Sequence, residues 1–441
     1  MEFFRRARTF TELVWKLANS PSARDHLKFV LAVLAQQPNP STEPGAAADF
    51  IDVKKLLATL TLEQLNRTSD EYYRQHTDLN AYLGKPFSNA DEAGDLMIAF
   101  SYVVNALNPH YGSDILDFGA GTCWSTRFLT QMGHAVTAVD VSPAALEIGR
   151  ELFKQVPVIG HHVPPKFSVF DGLEFDLPDE SFDRILCLNA FHHVPNPAAV
   201  LKEMARVLRP GGIAGFSEPG DGHSRSAQAQ FEMRHYTVIE NDIVIEDIER
   251  WALDAGFSRL DLAIVDPRVY RISWHDYSDL MKGGVNAARY AEWVRQAASS
   301  RRVFFLYKAG ETVPDSRQRR GLKGSVRVEL DTACVAASGE LSGEAEIENT
   351  GTNVWLPSHA PFGPVFLGVH LFNRAGQLLD LDFRRVHLPH AVRPGESATL
   401  RFSVEAPPSG EYRLGFDLVS ERVCWFASNG GDVAEVDLSV R

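Results

Sequence analysis

The stretch that most restricts how this chain can fold is Ile115-Leu116-Asp117-Phe118-Gly119-Ala120-Gly121-Thr122. It is an apolar run that meets two glycines and leads at once into the helix-spaced segment Ser125 to Met132. An apolar run of this length bounded by glycine reads as a buried strand, and glycines at its end let the backbone turn sharply and let a bulky ligand approach. Asp140 closes the next apolar run about 20 residues on, the separation at which an acidic side chain meets ribose hydroxyls in a doubly wound sheet. Asp171-Gly172 closes the third run. Any one of these acids alone reads equally well as a loop cap; three at successive strand ends argue for a nucleotide-like ligand.

The surrounding pattern agrees. From Asp114 to about Lys308, short β-branched runs alternate with helical stretches, which predicts a parallel sheet covered by helices. The strands expected are Asp114 to Phe118, Ala135 to Asp140, Lys166 to Phe170, Phe182 to Leu188, Gly212 to Ser217, Ser258 to Val265 and Arg302 to Tyr307, seven in all. Upstream, Phe3, Phe4, Phe10, Leu13, Val14 and Leu17 fall at helical spacing, and further helices are predicted over Asp52 to Leu65 and Asp91 to Leu107. Arg5, Arg6 and Arg8 beside Phe3 and Phe4 leave peripheral membrane contact open, with docking on the protein itself as the plainer reading.

These residues resemble the successive motifs of class I, Rossmann-like methyltransferases of the small-molecule type. Asp117 to Gly121 resembles the first motif, Val139-Asp140 the second and Phe170-Asp171-Gly172 the third. Phe182-Asp183-Arg184-Ile185, Phe191-His192-His193-Val194 and Arg206 to Gly212 resemble the fourth-strand and fifth-strand regions. The resemblance implies S-adenosyl-L-methionine as cofactor. Asp117 with Gly119, Ala120 and Gly121 would hold its methionine part, with Asn189 beside it. Asp140 and the adjoining Val141 would meet the ribose, and Asp171 with Gly172 the adenine. One departure is Cys123, followed by bulky Trp124, where the family often has a third glycine.

Methyl transfer from a sulfonium is an in-line displacement, so alignment and exclusion of water matter most, and a hydroxyl or protonated amine acceptor also needs a base. His192 and His193, just after the fourth strand, and Glu218, at the end of the fifth, are the candidate catalytic residues, with His223 behind them. Packing or capping is the alternative for each. Tyr72, Tyr73 and His76 precede the sheet as a candidate lid.

Beyond the polar stretch Asp315 to Lys323, read as a linker, the helical period stops and turns such as Asn349-Thr350-Gly351 separate short strands, which suggests a β-sandwich. It is similar to immunoglobulin-like accessory domains, including those accompanying bacterial surface-polysaccharide enzymes. Trp355 and Trp425 read as core residues, or as sugar-stacking faces if exposed. The expected fold is α/β: residues 1–80 a helical N-terminal region, 81–312 a seven-stranded Rossmann-like methyltransferase sheet, and 323–441 an immunoglobulin-like sandwich.

The chain of 441 residues carries a net charge of -13, which disfavours nucleic acid as a partner. Its apolar runs fall short of a membrane span, so a cytoplasmic location is expected. Cys123, Cys187, Cys334 and Cys424 form no metal-ligand pair and are expected as reduced core thiols. Three functions follow: an enzyme that O-methylates a glycan or glycolipid precursor, a methyltransferase for a quinone-like or other small metabolite, and an inactive binding scaffold on the same fold. The sequence carries no signal for oligomeric state.

Overall fold

In the computed structural model, which describes residues 50–75, 79–265 and 270–441, the seven expected strands form one sheet. In chain order they are β1 (Asp114–Phe118), β2 (Ala135–Asp140), β3 (Lys166–Val169), β4 (Phe182–Leu188), β5 (Leu208–Pro219), β6 (Phe257–Ala263) and β7 (Arg301–Lys308). Their spatial order is β3-β2-β1-β4-β5-β7-β6. The first five pair in parallel, but β7 runs antiparallel to both β5 and β6, so the sheet is mixed rather than parallel throughout. An apolar run such as Val303 to Leu306 reads alike in either direction, so pattern alone does not give its sense. Across this reversed pair Phe216 and Phe304 stack with ring centroids 4.4 Å apart.

The strands reverse order between β1 and β4, and there the carboxyl ends of β1 and β2 open a crevice, the usual ligand position in an open α/β sheet. The helical segment before the sheet covers this crevice. The single helix expected over Asp52 to Leu65 is two helices, Val53–Thr59 and Leu62–Gln75. Thr61 and Gln64 exchange hydrogen bonds between side chain and backbone, a capping box that starts a new helix and ends the old one. From the second helix, Asp70 accepts from the Ala144 N–H and the Ser142 hydroxyl at 2.8 and 2.9 Å, at the start of the helix Pro143–Gln155. A carboxylate at a helix N-terminus meets both orphan N–H groups and a favourable dipole, so this contact pins the cover in place. The expected membrane-facing helix around Phe3 to Arg8 lies outside the described residues. Among the described residues, no helix is long and apolar enough to cross a membrane.

Cys123, the departure from the glycine pattern, adopts the left-handed conformation (φ 62°) that glycine usually supplies, and is fully buried. Room for its thiol comes from Gly149, inside the helix Pro143–Gln155, where an added Cβ would collide with Cys123 Sγ. The strained turn is thus accommodated by an absent side chain on the neighbouring helix. All four cysteines are free; Cys123 and Cys187 are buried, whereas Cys334 is exposed and Cys424 half-buried, so the core-thiol expectation fails for Cys334.

The C-terminal part consists of a three-stranded and a six-stranded sheet over one shared core. Ser397–Glu405, Glu340–Glu348 and Ser325–Leu330 make the smaller sheet, and Leu378–His387, Val365–Asn373, Gly410–Ser420 and Ala434–Val440 run across the larger. Trp355 is fully buried against Phe426 and offers no sugar-stacking face. Trp425 is half-buried between His370 and Arg385.

Within the stretch read as a linker, Arg317 forms a clasp. Arg317, nearly buried, donates to the Gly112 carbonyl at 2.8 Å and lies 3.2 Å from the carboxylate of Asp183 on β4, while Asp315 holds its other nitrogens. Burial alone would raise the Asp183 carboxyl, but Arg317 and Arg209 outweigh it and hold it below the usual range. The clasp's contribution is therefore present above the ordinary carboxylate range and lost as pH falls through the lowered value. Arg317→Ala is expected to cost roughly 1.5–3 kcal/mol and to speed proteolysis between residues 309 and 324 at neutral pH. Unchanged proteolysis would mean that the clasp does not hold the two parts together.

Candidate active site

The turn after β1 is built as the glycines require. Gly119 and Gly121 both have positive φ, and a Cβ on Gly119 would collide with Ala190 Cβ. The N–H groups of Gly119 and Ala120 donate to the Val139 carbonyl, which ties the turn to the end of β2. Asp117 sits beneath. Its carboxylate accepts from the Ser125 and Thr126 hydroxyls at 2.7 and 2.6 Å, and burial pushes it up to about 6. It therefore shapes the turn from inside rather than lining the cavity.

Asp140 does line it. One carboxylate oxygen accepts from Gly121 N–H at 2.8 Å and the other from Ser142 N–H at 2.9 Å. Burial raises this carboxyl while those backbone donors oppose the shift. Val141, Gly172 and Asn189 also reach the cavity, Asn189 with a left-handed φ of 48°. Asp171 does not: its exposed carboxylate accepts from the N–H groups of Leu173 and Glu174 and so holds the turn that presents Gly172.

The same cavity, of about 360 Å³, is also lined by His192 and His193. His192 is buried and its Nδ1 lies 2.6 Å from Glu218 Oε2. Glu218, fully buried, also accepts from the N–H groups of Ala190 and Phe191 at 3.0 Å. Burial alone would raise its carboxyl, but His192 and these donors outweigh it and hold it low, as a carboxylate. Glu218 thus faces away from the mouth, contrary to its expected position, and orients the turn that carries both histidines.

His193 donates from Nδ1 to the Ile239 carbonyl at 2.6 Å, which keeps its Nε2 lone pair for a ligand. Burial, and then the neighbouring His192, lower its pKa to about 4, so the ring is neutral at pH 7. His223 is drawn into the wall by Glu240, at 2.6 Å. Tyr72 and Tyr73 line the cavity from the covering helix, as expected of a lid; His76 lies outside the described residues.

Sequence reasoning missed Glu240, Asp70 and Asn66. Glu240 is buried in a segment without regular structure; Asn241, next to it, bonds the carbonyls of His192 and Val194. The signal available was an acid wedged between Ile239 and the Asp242-Ile243 pair, and it points to burial but not to a partner 48 residues upstream. Asn66 donates to the Asp171 carbonyl from the cover.

A glycine turn at one strand end, a buried acid at the end of the next strand and a histidine pair after the fourth thus meet around one cavity on a seven-stranded mixed sheet. Residues 116–216 match the family model described as methyltransferase domain. The demethylmenaquinone methyltransferase of Tropheryma whipplei (strain Twist) is 39% identical over 111 residues, 24% of this chain and 44% of that protein. The ubiquinone biosynthesis O-methyltransferase of Alkalilimnicola ehrlichii is 33% identical over 122 residues, 27% of this chain and 47% of that protein. The chain thus spans less than half the length of each of these two curated relatives. Among solved structures, phosphoethanolamine N-methyltransferase 2 of Haemonchus contortus, in complex with S-adenosyl-L-methionine, is 18% identical with a TM-score of 0.40, over 57% of this chain and 60% of that one.

Proposed function

We propose that the chain is an S-adenosylmethionine-dependent methyltransferase acting on an oxygen of a small hydroxylated acceptor of the quinol type. The observation that carries this reading is a single cavity lined by Gly119 and Asp140 together with His192 and His193. The residues fit the cofactor: Gly119 lines the cavity with backbone alone, and Asp140 presents a buried carboxylate to ribose hydroxyls. When bound, the cofactor supplies a methyl carbon on a sulfonium, and the C–S electron pair leaves with sulfur as the acceptor oxygen forms its bond. The chain's own part is to hold the acceptor in line, exclude water beneath Tyr72 and Tyr73, and take the acceptor's proton on His193 Nε2.

The relatives' names favour quinone-type acceptors over the glycan first expected, and burial of Trp355 removes one of the two aromatic faces that favoured a sugar. The scaffold reading rested on Cys123, and Gly149 supplies the space that this residue needs.

The test is calorimetric titration with S-adenosylmethionine, followed by methyl transfer to a panel of hydroquinones and glycans. Micromolar binding and a methylated hydroquinone are expected. His193→Ala should lower kcat by about 10²- to 10⁴-fold with cofactor affinity unchanged. Failure of the folded chain to bind the cofactor would return the scaffold reading.

A further inference from the structure

The wall around His192 and His193 carries a set of ligating atoms that proton transfer to His193 does not use. Glu240 Oε2 lies 2.6 Å from His223 Nε2 and 3.5 Å from His192 Nε2. One ligand atom from each of His192, His223 and Glu240 lies within 4.8 Å of the other two. His192 and Glu240 are buried, and both face the cavity.

Hydrogen bonding fixes what these atoms can do. Glu218 Oε2 lies 2.6 Å from His192 Nδ1, so the other ring nitrogen, Nε2, is the one turned toward Glu240. A carboxylate behind a histidine whose other nitrogen faces a carboxylate and a second histidine is the usual setting of a metal-bound imidazole.

We propose that His192, His223 and Glu240 bind a divalent transition metal, zinc by the character of the donors, with its remaining position open to the cavity. Two histidines and one glutamate with an open fourth position form a donor set of catalytic zinc centres. The metal's role rests on the methyl-transfer reading, although its binding does not. A bound cation would acidify the acceptor hydroxyl.

The experiment strips the full-length chain with a chelator, titrates it with Zn²⁺ by calorimetry and with Co²⁺ by visible absorption, and measures S-adenosylmethionine affinity in parallel. One equivalent of metal and a low-symmetry Co²⁺ spectrum are expected. His223→Ala and Glu240→Gln should weaken binding by more than the roughly 10- to 100-fold typical of an outer-shell change, whereas Glu218→Gln should fall within that range. Cofactor affinity of His223→Ala should be unchanged; His223→Gln replaces it if circular dichroism shows that the alanine variant is unfolded. A folded, cofactor-binding chain that takes up no Zn²⁺ or Co²⁺, or that binds either equally well without His223, overturns the site. Metal binding of the expected kind in a chain that does not bind the cofactor keeps the site and removes the methyl-transfer reading.

Discussion

Asp140→Ala is expected to weaken S-adenosylmethionine binding by about 100-fold or more, measured by calorimetry, while the sheet stays folded. The wild-type carboxylate is nearly buried, lines the cavity and is held by the N–H groups of Gly121 and Ser142, so it is oriented before any ligand arrives. Hydrogen bonds to a charged acceptor are worth roughly 1.5–3 kcal/mol each, and two ribose hydroxyls would lose theirs together. At 1.4 kcal/mol per tenfold, about 3 kcal/mol corresponds to the expected loss. Asp140→Asn keeps the shape and one acceptor oxygen and should fall between. Cofactor affinity within threefold of wild type in the alanine variant would place the ribose elsewhere.

Glu218→Ala should produce the largest change in stability, roughly 3–5 kcal/mol, the cost of stranding the partner of a buried ion pair. Its fully buried carboxylate satisfies the backbone N–H groups of Ala190 and Phe191 as well as His192 Nδ1, and all three lose their partner together when it is removed. The urea midpoint should drop sharply with little change in slope, and Glu218→Gln should recover part of the loss through its remaining carbonyl oxygen. A loss below about 1 kcal/mol in the alanine variant would show that the histidine turn is held by other contacts.

The strands were legible because a buried strand must be apolar over its whole length, and β1, β2 and β4 have the bounds that their composition suggests. Asp140 was legible for the same reason, since its place at a strand end follows from the strand. The direction of β7 was not, because apolar content has no polarity along the chain. Glu240 was beyond reach because its burial depends on a loop folding back onto His192 and His223, a tertiary fact without periodic trace. Arg317 stood in a stretch whose charge and glycines describe a linker equally well, and only its proximity to Asp183 and Gly112 distinguishes the two. Cys123 read as a loss for want of Gly149, 26 residues away on another helix.

The clasp also bears on how such chains can be recombined. Asp183 stands near the start of β4, and the same seven-residue strand leads at its other end into Asn189 and the histidine turn. Tension on the C-terminal sheets would thus reach the cavity along one strand, without passing through a flexible tether. A sandwich grafted from another chain would need to bring its own arginine to this position; without one, the donor's sheets would hang from a sheet whose strand-4 carboxylate is only half answered.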